Sequence, residues 1–395
     1  MHSYYHAIEK IETHAKPKKA VLKPLKQALH HVLSQDIKAQ YPSPPFHQSA
    51  MDGYAVCYAA GKIKVLHEEI AAGNKRLIQL KKNEAIRIFT GAPVPANTTF
   101  IVPQENVELK NEELIFSLNK FKAGDNIRPA GSQFQKGETL LKRGEKINAL
   151  NIALLASSGI AKVKVIEKPL VSIIVTGDEL ISTEKKLQYG EIYESNAIML
   201  ESIIEEKGFH ISASLKVKDS KNKLKKHILQ ALENSDVLML SGGISVGKYD
   251  YTKEALLELG VKEIFYKVAQ KPGKPIYFGK LANKYIFALP GNPAASLTCF
   301  YEYALPLLKM LSGAKKYLPV QVNAIVTGEY QKKQGLTHFL KAWYHKGLVE
   351  ILPNQESYKI SSYGQANCLA VIPENMEKVK PGQELSCHLL DDYMI

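Results

Sequence analysis

Four short strings between residues 176 and 293 carry residue types that bind and process a phosphorylated anion. Residues 241–250, SGGISVGKYD, combine glycines, hydroxyls and a carboxylate. Glycines let backbone N–H groups approach a phosphate, and Ser241 and Ser245 can donate to it beside Gly242 and Gly243. Asp250 offers the hard oxygen that a Mg²⁺ ion bridging the phosphate would take. The string is neither a Walker A loop nor G-x-G-x-x-G, and alone it fits a tight strand-to-helix turn equally well. Residues 290–293, PGNP, put Asn292 at a helix N-cap and Pro293 at the first helical position, next to Gly291. That is an ordinary helix start, and its N–H groups and dipole also suit an anion. Residues 271–275, KPGKP, mount Lys271 and Lys274 on a Pro-Gly turn, with Lys267 just before it. An ammonium is a compact charge suited to oxyanions, although a surface turn explains the string as well. Thr176-Gly177-Asp178-Glu179 supplies two carboxylates as candidate metal or proton-transfer groups.

These strings need a common edge. Leu170–Val175, Val237–Leu240 and Tyr285–Leu289 are apolar runs of strand length, and each ends directly in one of the polar motifs. Ser195-Asn196 reads as the cap of a helix over Ile198–Lys207, and a second helix follows Pro293 to about Leu311. Strands alternating with helices imply a parallel-type sheet covered on both faces, with ligands at its carboxyl edge. Around this α/β unit the texture differs. The first 45 residues read as helix-rich, with apolar Leu22, Leu25, Ala28, Leu29, Val32 and Leu33 among lysines, closed by Pro42-Ser43-Pro44-Pro45. Residues 46–137 break into short Ile, Val, Thr and Phe runs separated by Gly and Pro, as in a β-rich module. Residues 147–161 read as an amphipathic helix ending at Gly159, and residues 316–395 as a small all-β domain. The expected division is 1–45 plus 138–167, 46–137, 168–315 and 316–395.

Charge and composition exclude several classes. The formal net charge is +13, but only Arg76, Arg87, Arg128 and Arg143 are arginines, so 48 of the 52 basic residues are lysines. Phosphate-backbone and base-edge readers favour the guanidinium fork, and no aromatic-interleaved basic stripe is present, so the charge does not point to nucleic acid. It does concentrate small anionic substrates. Tyr285–Tyr301, a charge-free stretch as long as any in the chain, is broken by the Pro-Gly-Asn-Pro string, so no membrane span is expected. Cys57, Cys299, Cys368 and Cys387 lie far apart without metal-ligand spacing, which fits a reduced, cytoplasmic protein with neither structural zinc nor a disulfide framework.

Two further strings, Ser49–Ala55 (SAMDGYA) and Thr90–Pro95 (TGAPVP), are turn-forming, and their spacing alone assigns them no reaction. In order along the chain, SAMDGYAV, RIFTGAPVP, TGDEL, SGGISVGKYD, KPGKPIYFG and LPGNP closely resemble the MoeA family, the molybdopterin molybdenumtransferases that include the gephyrin E-domain. The resemblance runs from about residue 20 to 375. It implies an elongated homodimer of four-domain subunits with a central MogA-like three-layer α/β domain, N-terminal helical and β-rich domains, and a small C-terminal β-domain. It implies molybdate and adenylylated molybdopterin as substrates, Mg²⁺ as cofactor and AMP as product. A MogA-like molybdopterin adenylyltransferase is the implied partner, and the cleft is implied to lie between the α/β domain of one subunit and the N-terminal region of the other. By the same resemblance Asp52, Thr90, Glu179, Asp219 and Asp250 are catalytic, with Glu179 and Asp250 on the metal. Thr176, Gly177, Asp178, Ser241, Gly242, Gly243, Ser245, Lys271, Lys274, Gly291 and Asn292 hold substrate.

The chain departs from the family pattern at two places. After Asn126-Ile127-Arg128 the usual Arg-Gly-Glu-Asp is replaced, so that Ser132-Gln133 stands where the family carries Glu-Asp, and Lys248 occupies an often acidic position. Both changes make the cleft less negative. A catalytically weakened paralogue that binds molybdopterin or a partner without turnover is the rival they raise, and the retained Asp52, Glu179 and Asp250 argue against it. A clustering scaffold is the other rival, disfavoured by the lack of a long linker or a second fused domain.

Overall fold

The computed structural model of the chain describes residues 1–244 and 251–391. Helix α1 (Tyr4–His14) opens it, with the His6 N–H donating to the Ser3 hydroxyl. Its buried residues, Tyr4, Ala7, Ile8 and Ile11, follow the i, i+3, i+4, i+7 spacing of a single apolar stripe. That stripe is buried far along the chain, among Phe265, Tyr303, Leu307 and Phe339. The rest of the first 45 residues is not helix-rich as expected. Ala20–Pro24 is a strand antiparallel to Lys162–Ile166, and Leu25–Gln27 is a single 3₁₀ turn. Pro24 accounts for the difference, because its ring and missing N–H disrupt a helix interior. Leu25, Ala28 and Leu33 still bury, but in a core with Leu155, Val163 and Val165. Helix α2 (Ala149–Ser157) covers that core, capped reciprocally by Asn148 and Asn151. Its carboxyl end closes through Gly159, with the Ile160 N–H returning to the Leu155 carbonyl.

Residues 46–137 leave this unit and return to it. They form a six-stranded sheet in the spatial order Phe100–Pro103, Gly53–Cys57, Glu84–Ile88, Lys64–Ile70, Glu113–Ile115, Glu108–Lys110. Separate apolar clusters lie on its two faces. Gly53 is required here, since a Cβ would collide with the Val102 carbonyl oxygen of the neighbouring strand.

The central sheet uses β1 (Leu170–Thr176), β2 (His210–Val217), β3 (Val237–Ser241), β4 (Lys262–Tyr266), β5 (Tyr277–Leu281) and β6 (Lys284–Leu289) in the order β2-β1-β3-β6-β5-β4. The four strands β2, β1, β3 and β6 are parallel, as expected. β5 runs antiparallel to both of its neighbours, β6 and β4, because β5 and β6 are joined by the two-residue turn Ala282-Asn283, too short for a crossover. Side chains alternate across the sheet. Ile173, Val175, Met239 and Phe287 face α1 and α3 (Asn196–Glu206), while Ile174, Leu238, Leu240 and Ile286 face α4 (Lys221–Glu233) and α5 (Tyr251–Glu258). The result is a three-layer α/β domain.

After β6 an apolar rod runs through α6 (Pro293–Cys299), a π-helical turn (Phe300–Ala304) and α7 (Leu305–Leu311). The widened turn lies just before Pro306, which has no N–H to offer the Glu302 carbonyl one turn back. Glu302 is itself fully buried, and its carboxylate accepts from His388 Nδ1 at 2.9 Å. His388 belongs to the C-terminal domain, in which Thr337–His345, Leu348–Ile351, Gln321–Val326, Glu384–Leu389 and Cys368–Ile372 pair in a closed ring. Closure leaves no open edge and surrounds a core of Ala324, Leu340, Val349, Ala370 and Leu385. A second tie is the pairing of Gln270–Lys271 with Thr337–His338 of that barrel.

Removing one partner of a buried hydrogen-bonded pair leaves the other group unsatisfied. Glu302→Ala should therefore lower stability by about 3 kcal/mol, read as a shifted urea midpoint. An unchanged midpoint would show that the pair does not hold the barrel to the helical rod.

Candidate functional site

Four parallel strands end side by side, and their last residues are in register. Thr176 of β1 lies opposite Val217 of β2, Val175 opposite Ser241 of β3, and Ser241 opposite Leu289 of β6. One carboxyl edge therefore carries Thr176, Gly177, Asp178 and Glu179, then Asp219, then Ser241, Gly242 and Gly243, then Gly291 and Asn292. This is where an open α/β sheet receives ligands. Gly242 and Gly243 have φ of +92° and +65°, and a Cβ on Gly242 would strike the Thr176 carbonyl oxygen. Glycine lets the turn fold tightly across the end of β1. Ser245, Lys248 and Asp250 lie outside the described residues.

Asn196 holds this edge together. Its amide donates to Ser241 Oγ at 2.9 Å and to the Gly291 carbonyl at 2.7 Å, while its Oδ1 is buried without a partner. The Ser195-Asn196 cap is thereby corrected: the Glu194 carboxylate accepts from the Ala197 N–H, and Ser195 makes no side-chain cap. Sequence reasoning missed Asn196 as a site residue because a Ser-Asn pair before a helix already has a complete local explanation.

The carboxylates crowd one another. Asp178 Oδ1 accepts from the Asp219 N–H at 3.3 Å. Partial burial holds the Asp219 carboxyl above the usual aspartate range; the Thr176 hydroxyl opposes the shift, and the charges of Asp178 and Glu179 add to it. Positive charge brought to this edge would relieve that repulsion.

Asn292 differs from expectation. Its side chain makes no cap and donates to Ser357 Oγ at 2.9 Å. The Ser357 carbonyl accepts from the N–H groups of Ala294 and Ala295 at 3.1 and 3.3 Å, so donors expected to face an anion are taken by a loop more than sixty residues away. Lys271 and Lys274 are exposed, on a turn held from beneath by the buried Gln270, whose amide donates to the Pro272 carbonyl at 3.0 Å. Lys267 instead lies over the Tyr266 ring, 4.8 Å from its centroid.

Asp52 and Thr90 form a second group. Asp52 Oδ1 accepts from both the N–H and the hydroxyl of Thr90 at 2.8 Å, which with the nearby Arg87 holds its carboxyl below the usual range. Arg87 is itself placed between the rings of Tyr54 and Phe89, at 5.1 and 5.3 Å from their centroids, and donates to Gln104. Gln133 accepts from the Ser43 hydroxyl at 3.0 Å. The Asp52–Thr90 pair sits in turns at the end of the β-rich sheet, and the strand-end residues on the central one.

Residues 2–159 match the family model described as the MoeA N-terminal region (domain I and II). Residues 172–310 match a probable molybdopterin binding domain, and residues 323–390 the MoeA C-terminal region (domain IV). A molybdopterin molybdenumtransferase of Haemophilus influenzae is 32% identical over 376 residues, covering 92% of each chain. The chain belongs to the molybdopterin molybdenumtransferase family. A Staphylococcus epidermidis member is 32% identical over 91% of this chain and 88% of its own. Among solved structures, the molybdopterin biosynthesis MoeA protein of Pyrococcus horikoshii superposes with a TM-score of 0.84 at 29% identity, covering 99% of both chains. The MoeA-type architecture thus holds both site groups of this chain, the Asp52–Thr90 pair in the first matched region and the strand-end crescent in the second.

Asn196→Ala should cost about 2 kcal/mol by urea unfolding, since it strands the Ser241 hydroxyl and the Gly291 carbonyl. For Asp52 the sign follows from a lowered folded-state pKa: its tie to Thr90 is complete above the ordinary aspartate pKa of about 4 and is lost only as pH falls through the depressed folded value. The Thr90 amide resonance should stay constant from pH 7 to about 4 and move below it. Movement between pH 5 and 4 would contradict the assignment.

Proposed function

We propose that the chain inserts molybdate-derived molybdenum into adenylylated molybdopterin and releases AMP, with the strand-end crescent as the phosphate-handling part of the site. The observation that carries this reading is the convergence of glycine turns, a hydroxyl and three carboxylates on the carboxyl edge of the segment matched as a probable molybdopterin binding domain. In this reading the Gly242–Gly243 turn and Ser241 cradle the phosphates, and Lys271 and Lys274 offset the charge that develops when water breaks the phosphoanhydride. The water oxygen bonds to one phosphorus as the bond from that phosphorus to the bridging oxygen breaks. One product phosphate therefore carries the water oxygen and the other, the leaving group, carries the bridging oxygen, and the water's protons pass to these phosphates or to solvent. The work required is positioning and electrostatic stabilisation.

Glu179 and Asp250 are the carboxylates we assign to Mg²⁺. The donor set suits a hard cation, and the mutual repulsion of Asp178, Glu179 and Asp219 is what a divalent ion offsets. Among the described residues no three His, Cys, Asp or Glu side chains could hold a metal. One or two protein carboxylates with substrate phosphates completing the shell is the usual arrangement for Mg²⁺. When bound, the ion supplies charge neutralisation at the phosphate linkage.

Asp52 and Thr90 lie on another sheet with its own cores, which supports a homodimer in which this pair completes the cleft of the partner subunit. A MogA-like adenylyltransferase is the class of enzyme that must supply the adenylylated substrate. No helix among the described residues is long and apolar enough to cross a membrane, and we place the reaction in the cytoplasm.

The test is AMP release from adenylylated molybdopterin given molybdate and Mg²⁺, with Glu179→Gln expected to slow it about 100-fold. No release by the unaltered chain would overturn the reading, and a gain on Gln133→Asp would assign the family departure a cost. Asp52→Ala and Glu179→Gln chains, each nearly inactive alone, should on mixing and subunit exchange recover about a quarter of the normal rate, because half the dimers are mixed and carry one intact site. No recovery would place both groups in one subunit's site.

A further inference from the structure

The opposite end of the central sheet holds an unexplained concentration of positive charge. A cavity of about 590 Å³ opens between the turn at residues 142–146, the Lys168 segment leading into β1, the Lys207–Phe209 junction before β2, and residues 309–316 at the end of α7. β1 is seven residues long, so this cavity lies on the order of 20 Å from the carboxyl edge. Eight lysine and arginine side chains line it against one carboxylate, Glu145.

Elsewhere the chain pairs many of its lysines: Lys18 with Asp236, Lys221 and Lys225 with Glu258, Lys253 with Glu263. Here Lys142, Arg143, Lys146, Lys168, Lys315 and Lys316 form no ion pair among the described residues. Two of them are held in place. Lys168 is half-buried, with Nζ donating to the Gly208 carbonyl at 2.6 Å, and the stem of Lys315 lies so close over Gly144 that a Cβ there would stand 2.6 Å from Cε. Burial first, and the charges of Lys146 and Lys23 next, push the Lys168 ammonium down to about 8, so the neighbouring cations add to the cost of its desolvation. A fold gains nothing from such repulsion, whereas an anion entering the cavity converts it into attraction. The volume equals that of about twenty waters, more than a single phosphate needs.

We infer that this cavity is a second anion site, taking a small molecule with at least two phosphoryl groups and separate from the crescent at the carboxyl edge. Lys315 and Lys316 reach the ligand from one wall, Lys142, Arg143 and Lys146 from the other, and Lys168 from the floor.

Isothermal titration of the full chain with inorganic pyrophosphate tests it. Lys315→Glu/Lys316→Glu, on exposed side chains, should weaken binding at least tenfold, while Lys271→Ala/Lys274→Ala, at the other edge, should leave one pyrophosphate bound per chain. Retained thermal unfolding of both variants excludes misfolding as the cause, and Arg143→Ala should give a smaller loss in the same direction. Titration with ADP distinguishes sources: equal affinity assigns recognition to the phosphates alone, and tighter binding adds a nucleoside, both supporting the site. An unchanged number of pyrophosphates bound per chain after Lys315→Glu/Lys316→Glu, or loss of all binding with Lys271→Ala/Lys274→Ala, overturns the proposal. So does a chain that binds no pyrophosphate but changes its sedimentation on Lys315→Glu/Lys316→Glu, because the cavity would then receive carboxylates of a second copy.

Discussion

A buried carboxylate paired with a buried imidazole is the constraint around which the large units of this chain are arranged. Glu302 projects from the π-helical turn of the rod after β6, and His388 from the last strand of the barrel. Neither can be desolvated alone without a cost of several kcal/mol, so the rod and the barrel must meet in one geometry. Tyr4 of α1 completes the junction, with its ring 5.7 Å from Tyr303, 5.2 Å from Phe339 and 6.0 Å from His388. Residues from the beginning, middle and end of the chain thereby share one core.

The site depends on that junction. α6 begins where β6 ends, and its first N–H groups are satisfied by Ser357 of the loop beside the barrel. The turn carrying Lys271 and Lys274 follows a two-residue strand that adds to the barrel, and its support, Gln270, also receives the hydroxyl of Tyr303 from the π-helical turn. Cationic groups near the carboxyl edge are thus positioned by the barrel as much as by the sheet. The carboxylates are positioned by the sheet itself, since strand register alone places Thr176, Val217 and Ser241 abreast.

Much of this was legible from local pattern. An apolar run followed at once by a glycine-rich polar string specifies a strand end, because a period-two buried strand and a positive-φ turn make incompatible demands on residue type. That reasoning places Thr176–Glu179, Ser241–Gly243 and Pro290–Asn292 correctly on one edge. It fails where a residue satisfies two descriptions. Asn196 reads as a cap and is used as a clamp, and Asn292 reads as a cap and is used to hold Ser357. Residues 20–33 fail for a related reason: their apolar spacing suits a helix, but they pair with the strand Lys162–Ile166, far along the chain.

The sequence by itself determined the elements of the α/β unit, the chemistry at its strand ends and, through six ordered motifs, the family. These depend on neighbours within a few residues, where propensity and backbone sterics decide. Only the tertiary structure decided which donors remain free for a ligand, which cations have no carboxylate partner, and that Asp52 and Thr90 bind each other on a sheet apart from the strand-end acids. Those outcomes are set by which distant segment supplies the competing hydrogen bond or charge, and the spacing of residues along the chain carries no record of it.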